Sequence, residues 1–154
     1  MAHTADVDPL VAKGKILIDQ SIFSEAITAL NGVLAANSRH VEATRLRAIA
    51  YCNLKQFDAT IRDFTRVVEL DPKNFNAYAG RAIAKREANN SPAAVEDMNT
   101  AVRLAPPKDS SSLLIRLAYF HLDSRNYQGM LDACSRSKQT LLSAENINCT
   151  GLAG

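Results

Sequence analysis

The sequence predicts an all-α fold, a right-handed solenoid of about four stacked helix-turn-helix hairpins, and three observations support this prediction. Similar residues recur in columns 34 positions apart along the chain. Within each block, apolar residues recur at steps of three and four, which is the period of an amphipathic helix. The 154 residues include no Trp, 6 Gly and 5 Pro, so few residues of the kind that interrupt helices are present.

The columns show how the hairpins would pack. Small residues recur at Gly14, Ala48 and Ala82, and larger apolar residues recur 34 apart at Leu30, Phe64 and Met98. The small residues allow the two helices of a hairpin to approach closely, and the larger ones fill the space between hairpins. Because one hairpin cannot bury its apolar face alone, neighbouring hairpins must stack. A fourth block continues the columns at a spacing of 36, through Ala118, Met130, Leu131 and Cys134.

The order of the helices follows from these columns and from the residues that begin or end a helix. Asp71-Pro72 ends one helix, because proline disfavours helical geometry at the preceding residue. Ser91-Pro92 begins another, with the serine as N-cap and the proline at the first helical position, and Asp8-Pro9 begins the first helix in the same way. The short turns are 53–56 and 89–90. The predicted helices are 8–20, 24–37, 41–54, 58–70, 75–88, 92–104, 110–124 and 127–143.

The repeat period also sets the expected domain organisation. We expect a disordered N-terminus at 1–6, repeats at 7–40, 41–74, 75–108 and 109–143, and a tail at 144–154. The tail is similar to the opening of a fifth repeat that is cut short, so we expect the chain to be part of a longer array. The uncapped last repeat would then expose Leu117, Phe120 and Leu141, and two copies could form a homodimer through it.

Composition narrows the function classes. The chain has 18 basic and 16 acidic residues and a formal net charge of +2, which predicts neither a nucleic-acid partner nor a membrane partner. No run of about 18 apolar residues is present. The three cysteines, Cys52, Cys134 and Cys149, are an odd number at wide spacing, which argues against a disulfide framework and a zinc site. We therefore expect a cytoplasmic protein in a reducing compartment.

Catalytic chemistry has no visible basis in the sequence. The three histidines are isolated from any Cys or acidic pair at a metal-ligand spacing, apart from Asp123 near His121. No glycine loop is followed by the lysine and helix that cradle phosphate. We predict no catalytic residues, no cofactor and no metal, and hence a protein that is not an enzyme. Cys134 is expected to be a buried small hydrophobe, whereas Cys52 is expected to face a groove and to be reactive.

The second block resembles the tetratricopeptide repeat family. The residues that carry the resemblance are Arg47-Ala48, Tyr51, Phe57-Asp58, Ile61, Asp63-Phe64 and 69–72, and the third block repeats much of the pattern with Tyr78, Arg81-Ala82, Ala94-Val95, Asp97-Met98 and Pro106. Lys85, Thr60, Met130 and Ser38 depart from the usual residues and should weaken packing locally. The resemblance implies an array that binds peptides or partner proteins on a concave face lined by the first helix of each repeat.

The family's geometry assigns a partner-binding groove to the first helices. The residues assigned to it are Val11, Lys15, Ile18, Arg45, Leu46, Ile49, Asn53, Asn76, Ile83, Arg86, Ile115, Arg116 and Tyr119. Its apolar members would accept the apolar stripe of a partner helix or an extended segment. The alternative is that these apolar residues pack against neighbouring helices or a capping helix and belong to the core.

One known partner class of the family is not expected. Family members that grip the acidic carboxyl-terminal tails of heat-shock chaperones do so with a set of Lys and Asn side chains in successive first helices. The matching positions here are Val11, Lys15, Leu46, Asn76 and Gly80. A carboxylate clamp needs several fixed donors, and Lys15 is the only cation in this set.

The arginines at positions 47 and 81 have a structural explanation. Each is followed sixteen residues later by an aspartate, Asp63 or Asp97, in the facing helix. We predict ion pairs, so that Arg47→Ala should lower thermal stability more than partner affinity.

The sequence therefore favours a non-enzymatic interaction module that binds a peptide or helix of a partner protein, as part of a larger complex. The alternative is a structural spacer or a self-assembly segment of a longer repeat protein. RNA binding by helical repeats is disfavoured, because the groove positions mix arginines with acidic residues.

Overall fold

The structure is a computed structural model that describes the backbone of residues 4–150 and the side chains of residues 9–143. Within residues 4–150 the chain is all-α, as predicted. The helices are α1 (Thr4–Asp19), α2 (Phe23–Ala36), α3 (Val41–Asn53), α4 (Phe57–Leu70), α5 (Phe75–Glu87), α6 (Ser91–Leu104), α7 (Pro107–Asp123) and α8 (Tyr127–Thr150).

Successive helices pair into four hairpins that stack on one another. Each helix packs against the next helix in the chain, and α1 also contacts α3 while α3 contacts α5. The first helices of successive repeats therefore lie side by side, which is the arrangement of an α-solenoid. This arrangement brings side chains of α3, α5 and α7 to one common face.

Most helix bounds agree with the prediction to within one residue, but three do not. Helix α1 begins at Thr4, so residues 4–6 are helical and Pro9 lies inside the helix rather than in its first turn. Proline has a helical φ, so a helix can extend on its N-terminal side at the cost of one backbone hydrogen bond. Residues 1–3 of the predicted disordered segment lie outside the described residues.

The other two differences concern the fourth hairpin. Helix α7 begins at Pro107 instead of position 110, because proline suits the first helical position. Helix α8 continues to Thr150 instead of ending at 143, since residues 144–150 contain neither Gly nor Pro. The backbone thus continues α8 across 144–150, and the interpretation of the tail as a fifth repeat stays a prediction.

The N-cap of α6 also differs from the prediction. The capping residue is Asn90, whose side-chain Oδ1 accepts a hydrogen bond from the backbone N–H of Ala93 at 3.4 Å. Ser91 and Pro92 are the first two helical residues. An asparagine is as good a cap as a serine, so the two neighbouring cap residues could not be distinguished by type.

The same turn closes every hairpin. A residue with a φ of about 60° follows each first helix, and the next backbone N–H donates back to the carbonyl five residues earlier, as from Gln56 to Tyr51 at 2.9 Å. This is the Schellman arrangement, which satisfies carbonyls at the end of a helix. The left-handed residues, at spacings of 34, 34 and 36, are Ser21, Lys55, Asn89 and Arg125.

Small residues bring the helices of a hairpin together, as predicted. A Cβ built on Gly14 would lie 2.8 Å from Cγ of Leu30, so the α1 backbone packs directly on that leucine. Ala48 and Ala82, in the same column, are fully buried. Leu30, Phe64 and Met98 are buried between the hairpins, which confirms the packing role predicted for them.

The predicted ion pairs are present between the helices of the second and third hairpins. Arg47 Nε donates to Asp63 Oδ2 at 2.7 Å, and Arg81 Nε donates to Asp97 Oδ2 at 2.8 Å. A second guanidinium nitrogen completes each bidentate contact. Lys85, which departs from the family pattern, adds a second cation to this pair, because its Nζ lies 2.7 Å from the same Asp97 oxygen.

Two predictions about the last hairpin are wrong. Cys134 is exposed, although its column neighbour Met98 is fully buried. The reason is that α7 covers Met98, whereas no helix in the described part of the chain covers the corresponding face of α8. Leu117 and Phe120 are buried rather than exposed, because they face the third hairpin; Leu141 is exposed, as predicted.

Candidate peptide-binding groove

A cavity of about 410 Å³ lies where α3, α5 and α7 approach one another. Five of the residues predicted for the groove line it, namely Arg45, Ile49, Asn76, Ile83 and Arg116. Ala79, Gly80 and Ser112, also on first helices, complete much of the remaining wall. The structure therefore brings the middle of the predicted groove together.

The floor of this cavity is apolar and includes a residue from a second helix. Phe64 of α4 lies beneath Gly80, and a Cβ built on Gly80 would lie 2.6 Å from Cε2 of the phenyl ring. Phe64 is only 4% exposed, so its ring has little freedom to move away. The absence of a side chain at position 80 thus leaves room for the phenyl ring at the bottom of the groove.

A second cavity of about 310 Å³ continues along the same face. Its lining comprises Ile83, Arg86, Glu87, Arg116, Tyr119, Phe120 and Asp123. Ile83 and Arg116 line both cavities, so the two form one groove that runs past α5 and α7. We refer to the 410 Å³ space as the first cavity and to the 310 Å³ space as the second cavity.

Two of the three groove arginines are held by acidic partners. Arg45 makes a bidentate contact with Glu42, at 2.8 Å from Nε and 2.7 Å from Nη2. The hydrogen bond from Arg45 lowers the pKa of the Glu42 carboxyl below its ordinary value. Arg86 lies 3.1 Å from Asp123, and its guanidinium carbon lies 5.1 Å from the centroid of the Phe120 ring. These contacts fix both guanidinium groups.

Arg116 differs from the other two. It is exposed on α7 and lines both cavities. Within the described residues, its side chain makes neither a hydrogen bond nor an ion pair. A partner can therefore contact this cation without displacing an existing contact.

Six other residues predicted for the groove line neither cavity, namely Val11, Lys15, Ile18, Leu46, Asn53 and Ile115. Leu46 is buried, at 4% exposed, and Val11 and Ile18 pack against the same core cluster. The alternative interpretation, that apolar positions on first helices belong to the core, describes these three residues. Lys15 is exposed on α1, and Asn53 is exposed at the end of α3, where its Nδ2 donates to the carbonyl of Ile49 at 2.9 Å.

The far end of the array carries a separate apolar cleft. It has a volume of about 210 Å³ and is lined by Ile115, Ala118, Tyr119, Leu122, Met130 and Cys134. Ile115 is 46% exposed and Tyr119 is 60% exposed. Tyr119 lines both this cleft and the second cavity, whereas Ile115 faces only the cleft. We refer to this surface as the end cleft.

Sequence reasoning missed several groove residues. Phe64, Phe75, Asp109 and Leu113 line the first cavity, although the prediction considered only selected positions on first helices. One signal for Phe64 was available. Gly80 stands in a column with Leu46, and a glycine among larger residues indicates space for a neighbouring side chain.

Neither cysteine chemistry nor metal chemistry gains support at this face. Cys52 is half-buried, and its burial together with the nearby charge of Glu87 raises the pKa of the thiol. A raised pKa lowers the thiolate fraction and hence the reactivity, which contradicts the expectation of a reactive Cys52. Among residues that the structure describes, no group of three His, Cys, Asp or Glu side chains is placed to hold a metal ion.

None of the helices in the described portion of the chain combines the length and the apolar character needed to cross a bilayer.

Comparisons with known proteins agree with the repeat pattern. Residues 11–75 match the profile of the tetratricopeptide repeat family. Sperm-associated antigen 1 of Rattus norvegicus is 30% identical over 117 residues, which are 76% of this chain and 12% of that protein. Tetratricopeptide repeat protein 36 of Caenorhabditis elegans is 40% identical over 57 residues, which are 37% of this chain and 32% of that protein. The chain thus spans a third or less of the length of these relatives.

The fold has close structural counterparts. The structure titled MamA 41-end from Desulfovibrio magneticus RS-1 superposes with a TM-score of 0.83 at 19% sequence identity, covering 91% of this chain and 78% of that one. At this level of identity the likeness concerns the fold alone. It confirms an α-solenoid of stacked hairpins.

Proposed function

We propose, from the premise that this chain is a member of the tetratricopeptide repeat family, that its groove binds a peptide or a helix of a partner protein. The family is one of protein-interaction scaffolds. In this proposal the chain acts without catalysis and contributes one binding surface to a larger complex in the cytoplasm. Nucleic acids, membranes and the acidic tails of heat-shock chaperones are not its ligands.

The continuous groove is the observation that carries this proposal. Two cavities adjoin along α5 and α7. The floor of the first is apolar, and the second combines Ile83, Tyr119 and Phe120 with four charged side chains. Apolar pockets bind the large side chains of a peptide, and a few polar groups fix its orientation. The first cavity is open enough to admit one large apolar side chain onto the Phe64 ring, between Ile49 and Ile83.

A test begins with peptides selected from a random display library on the immobilised chain. Synthetic copies of the selected peptides are then titrated by isothermal calorimetry against the parent chain and two variants. Asn76→Trp places a bulky ring over the first cavity from an exposed position, and Ile83→Asp places a charge in the apolar floor that both cavities share. We expect each variant to weaken binding by about tenfold or more, since either disrupts an apolar contact worth about 1.4 kcal/mol or more.

The matched control is Asn99→Trp, which introduces the same ring at an exposed position of α6, outside the groove. Circular dichroism verifies that all variants remain helical. Binding that survives both groove variants, or that Asn99→Trp weakens equally, would contradict the proposal.

The end cleft favours a second candidate function, self-assembly or spacing within a longer array. Ile115, Tyr119 and Cys134 occupy the positions that Ala79, Ile83 and Met98 occupy one repeat earlier. In the third repeat the corresponding surface is covered by α7, whose Leu113 and Leu117 share a core cluster with Met98. A second copy that seats on the end cleft would cover the equivalent apolar surface of the fourth repeat and produce a homodimer.

Light scattering coupled to size-exclusion chromatography separates the two candidates. Self-assembly predicts a dimer that Leu122→Asp, at an exposed apolar position of the end cleft and outside both cavities, converts to a monomer. The groove proposal predicts that peptide affinity is unchanged in this variant. A monomer at all concentrations would remove self-assembly from consideration.

A further inference from the structure

We infer that the partner segment carries a side-chain carboxylate between two large apolar residues, and that Arg116 binds this carboxylate while the two cavities take the apolar residues. The inference rests on the proposed function, because it specifies the ligand of the same groove. It differs from recognition of a chain terminus, since the acidic group lies inside the segment and has apolar neighbours on both sides.

The charges that line the groove single out Arg116. Arg45 has both carboxylate oxygens of Glu42, and Arg86 has the carboxylates of Asp123 and Glu87 at 3.1 and 3.4 Å. A partner carboxylate would have to compete with these contacts. Arg116 offers its guanidinium donors to solvent, so a partner can occupy them at no such cost.

None of the acidic residues that line the groove is paired with Arg116. Glu87 and Asp123 are already engaged by Arg86. Asp109 lies in the first turn of α7, where the N-terminal end of the helix dipole stabilises a negative charge, and it is not within ion-pair distance of Arg116. The two cavities are thus lined by three basic and three acidic residues, and Arg116 is the basic residue among them that has no ion pair within the described residues.

A carboxylate is the group that suits this position. The guanidinium is planar and presents pairs of N–H donors that match the two oxygens of a carboxylate. Seating apolar side chains in the adjacent cavities would exclude water from both sides of the contact, which strengthens a charge-assisted hydrogen bond.

The position of Arg116 sets the order of the partner's residues. Because Arg116 lines both cavities, an acidic side chain that contacts it has the first cavity on one side and the second cavity on the other. The same column holds Ala12, Leu46 and Gly80 in the earlier repeats. The cation therefore occurs once in the column, and a single acidic residue fixes the register of the partner along the array.

The test uses library peptides with amidated C-termini, so that no terminal carboxylate is present. We expect the selected peptides to contain Asp or Glu flanked by large apolar residues. Arg116→Gln should weaken their binding by about tenfold or more, the effect of losing a hydrogen bond to a charged group. The control is Arg62→Gln, an exposed arginine of α4 outside both cavities, which should leave affinity unchanged.

A double-mutant cycle assigns the contact. Replacing the acidic residue of the peptide by its amide should weaken binding to the parent chain as much as Arg116→Gln does, and should have little further effect on that variant. Affinity of the parent should also fall with added salt more steeply than affinity of the Arg116→Gln variant.

Two failures are distinguishable. If peptides bind in a manner that Asn76→Trp abolishes, but carry no acidic residue or bind the Arg116→Gln variant within twofold of the parent, the inference is wrong and the groove function stands. If no selected peptide is sensitive to the groove variants, both the inference and the proposed function are wrong.

Discussion

The third and fourth repeats join their two helices by opposite chemistries. In the third repeat, Arg81 of α5 holds Asp97 of α6 through two hydrogen bonds of 2.8 Å. The equivalent positions of the fourth repeat are Leu117 and Ala133, which are 1% and 0% exposed. The same place in the same hairpin is therefore filled by an ion pair in one repeat and by aliphatic packing in the next.

The difference teaches what each chemistry requires. An aliphatic pair requires only that the two side chains have complementary shapes. A buried carboxylate requires its cation, because an unpaired buried charge is strongly destabilising. The arginine also reaches the preceding repeat, since Arg81 Nη1 donates to Thr65 Oγ1 at 3.2 Å and Arg47 Nη1 donates to Asn31 Oδ1 at 2.8 Å. The second and third repeats thus contact the preceding repeat through directional hydrogen bonds, whereas the fourth repeat packs through buried apolar surface.

The largest expected effect comes from breaking the pair of the second repeat. Arg47→Ala leaves Asp63, whose side chain is only 4% exposed, without another cation in ion-pair range among the described residues. We expect the free energy of unfolding to fall by about 3–5 kcal/mol, as measured by urea denaturation. Affinity for a groove-binding peptide, measured where the variant is folded, should change by less than twofold.

The control for that experiment installs the chemistry of the fourth repeat. The double variant Arg47→Leu, Asp63→Ala removes both charges together and should recover most of the lost stability. A double variant as unstable as Arg47→Ala would show that directional contacts to Asn31, rather than the unpaired charge, dominate.

A smaller effect is expected in the third repeat, so the two repeats that contain an ion pair can be compared with each other. Arg81→Ala leaves Asp97 with Lys85, whose Nζ is 2.7 Å from the carboxylate. We expect a loss of about 1–3 kcal/mol in the same measurement. Adding Lys85→Ala should bring the loss to that of Arg47→Ala, and an equal loss for the two single arginine variants would contradict a supporting role for Lys85.

The next largest effect on stability is expected at the N-cap of α5, the first helix of the third repeat. Asn74 Oδ1 accepts the N–H of Ala77 at 3.1 Å at the start of α5, whereas α7 begins after Pro106 without a side-chain cap. Asn74→Ala should cost about 1 kcal/mol. Lys73→Ala, the adjacent exposed residue, is the control and should change stability by less than about 0.5 kcal/mol.

The smallest effect is a pH dependence at the surface of the second repeat. The pKa of Glu42 is lower in the folded chain than in the unfolded chain, chiefly because of the hydrogen bond from Arg45. The contribution of the Glu42 carboxylate to the free energy of unfolding is therefore present above the ordinary glutamate pKa. It is lost as the pH falls through the pKa of the folded chain. Because the carboxylate is 46% exposed, Glu42→Gln should remove only about 0.5 kcal/mol of this acid-side dependence. Unfolding curves at several acidic pH values measure it, and parallel pH profiles for the two proteins would contradict it.

The sequence predicted the middle of the array well for a physical reason. Helices α3 to α6 are flanked by repeats on both sides, so the 34-residue columns report the packing of each position directly. The ion pairs at Arg47 and Arg81 were predictable because their acidic partners recur at the same spacing of sixteen residues.

What could not be predicted depends on neighbours or on backbone freedom. The exposure of Cys134 arises because no helix of the described residues covers that face of α8, which the column of Met98 does not reveal. The burial of Leu46 depends on how α1 and α3 approach each other, and the placement of Phe64 in the groove depends on the space above Gly80. For the groove, the sequence therefore predicted the face and several of its residues, but not the depth of each residue.

The succession of contacts along the solenoid has a consequence for how the molecule opens. Each helix touches helices one or two places away in the chain, so closing any contact requires ordering only a short stretch of backbone. Contacts this local permit rapid folding. They also allow unfolding to proceed from one hairpin to the next instead of involving the whole chain at once. Amide protons of α4 and α5, which are covered on both sides, should exchange with solvent more slowly than those of α8, so the array should fray inward from its far end.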